Sequence, residues 1–148
     1  MGGDGCRVSD RMVGHIISGH DVGRWVSARI GGMYHAEASA SIGLERAGEI
    51  VAGVVYYNWN GVSAMAGIAA EDRLSRDFVR EIFRYPFVVG KLAQIVVAIS
   101  ADNEKSRRFA AKMGFAEQAR LPDATPGGDM IFMVLRRENC RFLGGRYG

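Results

Sequence analysis

Alternating apolar and polar positions predict a block of β-structure in the first half of the chain. Residues 49–58 alternate with the two-residue period of a strand, and the pair Asn60-Gly61 that follows is typical of tight hairpin turns. We therefore expect residues 62–70 to return as the next strand, and residues 39–45 to form the strand before. The sequence thus predicts a three-stranded antiparallel meander, in which Gly67 marks a bulge or a close approach of another group to the backbone.

Helical spacing, in which apolar residues recur every three or four positions, is found on both sides of this meander. We expect one helix to begin at Asp21, which caps it, and to end at Gly31-Gly32. A second helix begins after Ser75, a good N-cap residue, and ends at Pro86. Residues 1–20 give only weak signals, so no element is predicted there.

The second half of the chain predicts a strand, a helix and two further strands. Residues 94–100 form a nearly continuous apolar run, which is typical of a central strand covered on both faces. We expect the helix to be capped by Asp102-Asn103 and ended by Gly114, because Asn favours helix starts and Gly favours the residue after a helix end. The two remaining strands are predicted at residues 115–121 and 130–135. Pro122 and the turn Pro126-Gly127-Gly128 separate them.

Length and composition agree with one globular domain. The chain has 148 residues, of which 48% are hydrophobic and 24% charged, and these are ordinary globular values. The element order predicts an α/β (α+β) fold, with a mixed, mostly antiparallel sheet flanked by helices, as a single domain over residues 1–148. Residues 1–20 form a poorly defined lead. Residues 136–148 form a basic tail, which either packs as a short helix or serves for interaction.

Charge and cysteine usage exclude several classes of protein. The net charge of +3 is too small to indicate nucleic-acid binding by itself, so a small nucleic-acid-binding protein is the weakest interpretation. No apolar stretch approaches the length of a membrane span, so no membrane association is expected. Cys6, Cys140 and the three histidines lack the spacing of a metal site, which predicts no bound metal and a reduced, cytoplasmic setting.

The polar loop over residues 71–76 could bind an anion. It joins the glycine-containing strand to the helix that begins after Ser75, and Arg73 and Arg76 flank it. Backbone N–H groups and the positive end of the helix dipole favour an anion at such a point. Taken alone, however, the same residues are more typical of an ordinary strand-to-helix turn with solvated arginines.

Residues 102–115 carry the most specific motif of the chain. An Asn-opened helix has a small residue three positions on and closes in a Gly-Phe pair, here Asn103, Ser106, Gly114 and Phe115. In this respect the chain resembles the GNAT superfamily of acyl-CoA N-acyltransferases. The segment Glu117 to Arg120 is similar to the branch that contains the ribosomal-protein N-terminal acetyltransferases. In element order the resemblance covers about residues 39–138.

The resemblance implies an acetyl-CoA site between two strands. In such proteins the strand matching residues 62–70 carries a bulge and splays away from the strand matching residues 94–100, and the pantetheine arm lies in the cleft. The positions that the resemblance assigns to the cofactor are Gly67, Ile68 and Ala69 for the pantetheine arm, the backbone amides of Arg73, Leu74, Ser75 and Arg76 for the pyrophosphate, and Asn103, Ser106 and Arg107 beside the pantetheine.

Two positions depart from the pattern of the superfamily. Its pyrophosphate loop is usually Q/R-x-x-G-x-G/A, whereas residues 71–76 are E-D-R-L-S-R and contain no glycine. Many members also carry a tyrosine acid where this chain has Ala110. These departures favour, as the alternative function, a binding module that kept the fold and lost acetyl transfer.

The activity implied is transfer of an acetyl group from acetyl-CoA to an amine by direct attack in a ternary complex, without a metal. The acceptor is expected to be a small-molecule or peptide amine, and exposed strand edges make a homodimer a further expectation. An ammonium with a pKa of about 10.4 must lose its proton before it attacks. The sequence assigns no catalytic residue, and the candidates for the base are Glu37, Tyr57, Glu71 and Asp72.

Overall fold

The structure, a computed structural model, describes residues 14–30 and 40–144. Within these ranges the chain forms seven strands and three α-helices. In chain order they are β1 (His15–Ser18), α1 (His20–Ile30), β2 (Ala40–Arg46), β3 (Glu49–Tyr57), β4 (Ser63–Ala70), α2 (Arg76–Arg84), β5 (Gln94–Ser100), α3 (Glu104–Met113), β6 (Ala116–Thr125) and β7 (Gly128–Arg136). The predicted helix stop at Gly31-Gly32 lies outside the described residues.

The seven strands make one mixed sheet in the order β1-β2-β3-β4-β5-β7-β6. Every neighbouring pair is antiparallel except β4 and β5, which are parallel. The predicted fold, a mostly antiparallel mixed sheet flanked by helices, is therefore confirmed. Helix α1 packs on one face through Val22 and Val26, whereas α2 contributes Phe78 and Ile82 to the larger core on the other face.

Strand β1 was not predicted, so the antiparallel meander has four strands and not three. It pairs with β2 from His15 opposite Glu45 to Ser18 opposite Ile42. The strand is four residues long and mostly exposed, so it carries too few positions to show an alternating pattern. Helix α1 also begins one residue before the predicted cap, and Asp21 lies inside its first turn. The carbonyl of Gly19 accepts the first helical N–H bond, 3.2 Å from the nitrogen of Val22.

A pair of glycines lets α1 lie close against the sheet. Gly43 in β2 and Gly53 in β3 are opposite each other in the register. A Cβ on either would come within 2.7 Å of a valine methyl of α1, from Val22 at Gly43 and from Val26 at Gly53. Both valines are fully buried. Because these two glycines have no side chain, the sheet has a groove at this point, and α1 packs into it.

The helical segment after Ser75 does not end at Pro86 as predicted. The Ser75 side chain accepts from the N–H of Phe78 and caps α2, as expected, but the chain continues beyond Arg84 as a π-helical turn over Tyr85–Val89. Pro86 has no N–H to donate to the carbonyl of Ile82, its partner in an α-helix. The buried Tyr56 hydroxyl donates to that carbonyl instead, at 2.5 Å. The sheet thus replaces the hydrogen bond that the proline removes.

Three further predictions about the second half needed correction or refinement. Only Ile95 and Val97 of β5 are buried, so this strand is covered on one face and its other residues are half-buried. Strand β6 runs through Pro122, which an edge strand tolerates because one side of its backbone needs no partner. After β7 the tail makes a short 3₁₀ turn, and Phe142 is buried with its ring stacked on Phe83.

The caps of α3 are as predicted. The side chain of Asn103 accepts from the N–H of Ser106, and Gly114 follows the helix with a φ of 109°. Within residues 14–30 and 40–144, every helix is too short or too polar to cross a bilayer.

Substituting Gly53 by Ala should destabilise the fold by about 1–3 kcal/mol, because the new methyl group overpacks the contact with Val26. Urea unfolding measures this change. Gly144→Ala is the matched control, since no atom lies within 4 Å of its Cβ position. The double variant Gly53→Ala/Val26→Ala should lose less stability than the two single losses added together. Strict additivity would show that the two positions do not touch.

Substituting Tyr56 by Phe should cost about 1 kcal/mol or more at neutral pH, because it removes the buried hydrogen bond to the Ile82 carbonyl. Burial, and then the nearby Tyr85 and Glu81, raises the pKa of Tyr56 well above its ordinary value. An unfolded tyrosine ionises near pH ~10, so the stability that Tyr56 provides is present below that pH and lost as the pH rises above it. Urea unfolding across this range should show a steeper alkaline decline for the wild type than for Tyr56→Phe. Equal slopes would contradict the assignment.

Candidate functional site

The candidate site lies where β4 and β5 separate. The two strands pair over three positions only, from Ser63 opposite Gln94 to Met65 opposite Val96. Beyond these positions β4 stays on β3 and β5 stays on β7, so the strands diverge. A cleft of about 1000 Å³ opens between them, mostly apolar in its lining. The predicted splaying of these two strands is therefore confirmed.

Several parts of the fold line this cleft. The ends of β3, β4 and β5 form its walls, α2 and one face of α3 close its floor, and the β6–β7 turn and the end of α1 form its rims. Its lining includes Arg29, Ile30, Tyr57, Gly67, Ile68, Ala69, Glu71, Ser100, Asp102, Asn103, Lys105, Ser106, Ala110 and Thr125. The helical face with Ser106 and Ala110 thus forms much of the floor of the cleft.

Gly67 does not lie in a bulge. The register of β3 and β4 is unbroken from Tyr57 opposite Met65 to Ala52 opposite Ala70. The alternative expectation, a close approach of another group, is correct. A Cβ at Gly67 would lie 2.6 Å from the Cδ1 atom of Ile30, so the end of α1 reaches over the strand at this point.

Asn103 and Ser106 lie together at the start of α3 and both line the cleft. The carboxamide oxygen of Asn103 caps the helix, 3.2 Å from the nitrogen of Ser106. Its NH₂ group makes no hydrogen bond to another described residue and remains available to a ligand. Arg107 is placed differently, because its guanidinium donates to the carbonyl of Ala101 at 3.0 Å and is not part of the lining.

The loop predicted for the pyrophosphate adjoins the cleft but does not line it. Arg73, Leu74, Ser75 and Arg76 are absent from the lining, which on this side reaches only to Glu71. The N–H of Arg73 donates to the carboxylate of Asp72 at 2.7 Å. Apart from Arg107, the positions predicted for the pantetheine arm therefore line one cleft, whereas the positions predicted for the pyrophosphate follow directly after the last lining residue on this side, Glu71.

The candidate bases differ in what surrounds them. Glu37 lies outside the described residues. Burial raises the pKa of Tyr57, so its phenol keeps its proton at neutral pH and cannot act as a base there. Glu71 accepts from the guanidinium of Arg29 at 2.7 Å, and Asp72 accepts from the guanidinium of Arg46 at 3.2 Å. Each of these two carboxylates is thus neutralised by an arginine.

A hydroxyl–carboxylate chain at the rim of the cleft was missed by the sequence analysis. The Ser100 hydroxyl donates to Asp102 at 2.7 Å and lies 2.7 Å from the hydroxyl of Thr125. Thr125 also reaches the carbonyl of Gly128 at 3.0 Å. No signal in the sequence connects Ser100 with Thr125, because 25 residues separate them and they meet only through the pairing of both β5 and β6 with β7.

The described residues offer no metal site. Among residues 14–30 and 40–144, no three side chains of the His, Cys, Asp or Glu types stand close enough to hold a metal ion. Ala110, where a tyrosine would be expected from the resemblance, is buried at the floor of the cleft and brings no acidic group. The polar groups of the cleft are therefore the backbone, the rim chain and the start of α3.

Several solved structures share this arrangement. The SpeG spermidine/spermine N-acetyltransferase of Vibrio cholerae, in complex with manganese ions, superposes with a TM-score of 0.68 over 85% of this chain and 94% of that chain, at 15% identity. A probable acetyltransferase matches with a TM-score of 0.58 and 20% identity over 68% of this chain. That match spans 63% of the probable acetyltransferase, which is less than two thirds of its length. The chain has the GNAT fold.

This chain is less similar to known proteins in sequence than it is in fold. No protein-family model and no curated protein sequence matches the chain. Another GNAT neighbour, a spermidine N-acetyltransferase from Vibrio cholerae described as dodecameric, is 19% identical over 70% of this chain with a TM-score of 0.59. At such identities the comparison shows the GNAT fold alone, and the activity has to be argued from the cleft.

Proposed function

We propose that the protein is an acyl-CoA-dependent N-acyltransferase that moves an acetyl group from acetyl-CoA to the amine of a small molecule or peptide. The observation that carries the proposal is the short pairing of β4 with β5. Within the described residues, Ala66–Ala70 have no strand partner on the side of the cleft. An open strand edge beside an apolar cleft suits an extended ligand that carries its own amides.

The pantetheine arm of acetyl-CoA is such a ligand, because it contains amide groups that can pair with a strand edge. Gly67, Ile68 and Ala69 would bind it through their backbone, as the resemblance implies. Asn103, with its NH₂ group unused by the described residues, and Ser106 line the same cleft and would bind the arm from the start of α3. The mostly apolar lining then excludes water from the thioester.

The chemistry requires stabilisation of an oxyanion and removal of a proton. The N–H groups of the unpaired β4 edge would donate to the oxygen that becomes negative when the amine attacks the thioester carbonyl. The leaving thiol has an ordinary pKa of about 8.5, so it departs as a thiolate with little help. A buried tyrosine acid at position 110 is therefore not required for this step.

Asp102 is our choice for the proton acceptor. Of the two carboxylates in the described lining, Glu71 is held by Arg29, whereas Asp102 bonds to a hydroxyl. The proton of the attacking amine would pass to the oxygen of Ser100, and the Ser100 hydroxyl would give its own proton to Asp102. The structural neighbours named for spermidine make polyamines one class of acceptor to test, with peptides as the other.

Acetyl-CoA should raise the melting temperature by several degrees when it is well above its Kd. Thiol should then be released in the presence of an accepted amine, with spermidine and a short peptide as first candidates. Asn103→Ala should weaken acetyl-CoA binding about five-fold or more, because one hydrogen bond is lost. Asn103→Ser is the matched variant, since it keeps a helix cap and removes the NH₂ group. No thermal shift at millimolar acetyl-CoA would refute the proposal and favour a binding module without acetyl transfer.

Asp102→Asn and Ser100→Ala should each lower kcat by about ten-fold or more while leaving the Kd for acetyl-CoA unchanged, because they act on proton removal. Steady-state kinetics with the accepted amine measures the first quantity, and titration calorimetry measures the second. Glu104→Gln is the control, as this carboxylate is close in sequence, pairs with Arg108 and lies outside the lining. An equal loss in the control, or full activity in Asp102→Asn, would rule out this route.

A further inference from the structure

The loop between β4 and α2 contains a carboxylate, that of Asp72, which already accepts hydrogen bonds from two donors of the chain. One carboxylate oxygen of Asp72 accepts from the backbone N–H of Arg73 at 2.7 Å, and the other accepts from the guanidinium of Arg46 at 3.2 Å. A backbone amide and an arginine are the groups with which a protein binds a phosphate. At this loop both of them already face a carboxylate of the chain.

Arg46 of β2 fixes the position of Asp72. The same guanidinium nitrogen of Arg46 also donates to the carbonyl of Arg73 at 2.6 Å. The Arg46 side chain is only 9% exposed, so its ion pair with Asp72 is screened less than pairs between exposed side chains. A diphosphate could reach these donors only by displacing a carboxylate that a buried cation holds.

Two further side chains, those of Ser75 and Asp77, also disfavour the binding of a second anion here. The Ser75 hydroxyl occupies the N–H of Phe78, and Asp77 places another carboxylate in the first turn of α2. Residues 71–77 contain three carboxylates and two arginines, and no glycine that would let the backbone close around phosphates. Moreover, none of residues 72–76 lines the cleft. The pantetheine arm therefore fits the described residues, whereas the diphosphate does not.

We propose, on the basis of the proposed function, that the acyl donor is recognised through its pantetheine arm and that Asp72 excludes its diphosphate from the loop. The donor class is then any acyl thioester of pantetheine, with or without the adenosine diphosphate part of CoA. The nucleotide lies in solvent beyond Glu71. Specificity for the donor comes from the β4 edge and the start of α3.

The first test compares the Kd of acetyl-CoA with that of S-acetyl-pantetheine by titration calorimetry on the full chain. We expect the two values to agree within about ten-fold. One hydrogen bond to a charged group is worth about ten-fold or more in affinity, so a diphosphate held by several would favour acetyl-CoA by more than ~100-fold. Such a preference would overturn this inference and leave the proposed function standing. Failure of both ligands to bind would refute the proposed function itself.

The second test removes the carboxylate. Asp72→Ala should tighten acetyl-CoA binding about ten-fold and leave acetyl-pantetheine unchanged, because only the diphosphate gains donors. The ratio of the two Kd values is measured within one preparation, so a partial loss of folded protein cancels. Asp72→Asn keeps the side-chain volume and should give a smaller change in the same direction.

Asp77→Ala is the matched control for charge. It removes a carboxylate from the first turn of α2 that pairs with Arg80 and does not bond to the loop amides. We expect its ratio of Kd values to change far less than that of Asp72→Ala, because Asp77 bonds to Arg80 and to none of the loop amides. The inference is wrong if the ratio of the two Kd values is unchanged in Asp72→Ala. It is also wrong if Asp77→Ala tightens acetyl-CoA binding as much as Asp72→Ala does, because Asp72 would then not be the group that excludes the diphosphate.

Discussion

The parallel pairing of β4 with β5, which lasts for three residues, is the constraint on which the rest of the molecule depends. Each strand is more extensively paired on its other side: β4 with β3 over six positions and β5 with β7 over seven. The sheet is therefore two antiparallel halves joined over a short seam. Strand twist then separates the free ends and creates the cleft without any bulge at Gly67.

The helices hold the two halves in this relation. Helix α2 and the turn after it pack in one core with residues of β3 and β5. Phe83 of α2 contacts the rings of Phe115 and Phe142, which belong to the second half of the chain. On the opposite face the described contacts of α1 are mainly with β2, β3 and β4 of the first half. The floor of the cleft is thus packed into the larger core of the molecule.

The sequence predicted what local chemistry determines. Ser75 and Asn103 cap helices because their short polar side chains reach the first amides of the same segment. The parts that it missed depend on distant groups. Pro86 continues a helical path because Tyr56, thirty positions earlier, supplies a hydrogen bond, and Ser100 meets Thr125 only across the sheet. Helix capping and strand period are local, whereas these contacts are tertiary.

The same distinction applies to the site. Gly67, Asn103 and Ser106 were placed in one cleft by motif and element order, and the structure brings them together. The loop of Arg73 to Arg76 was expected to join them, but its state depends on Arg46 in β2, which no local pattern connects with it. The lining of the cleft could be predicted in part, whereas the charge balance at its end could not.

The hydrogen bond between Tyr56 and the Ile82 carbonyl has a consequence for how this sequence can diverge. A residue other than proline at position 86 could supply its own N–H to that carbonyl, which would then depend less on the tyrosine hydroxyl. Phenylalanine at position 56 would cost less stability in that background than it does beside Pro86. Among descendants of this sequence, the two positions should therefore change as a pair, although one lies in the sheet and the other in a helical turn.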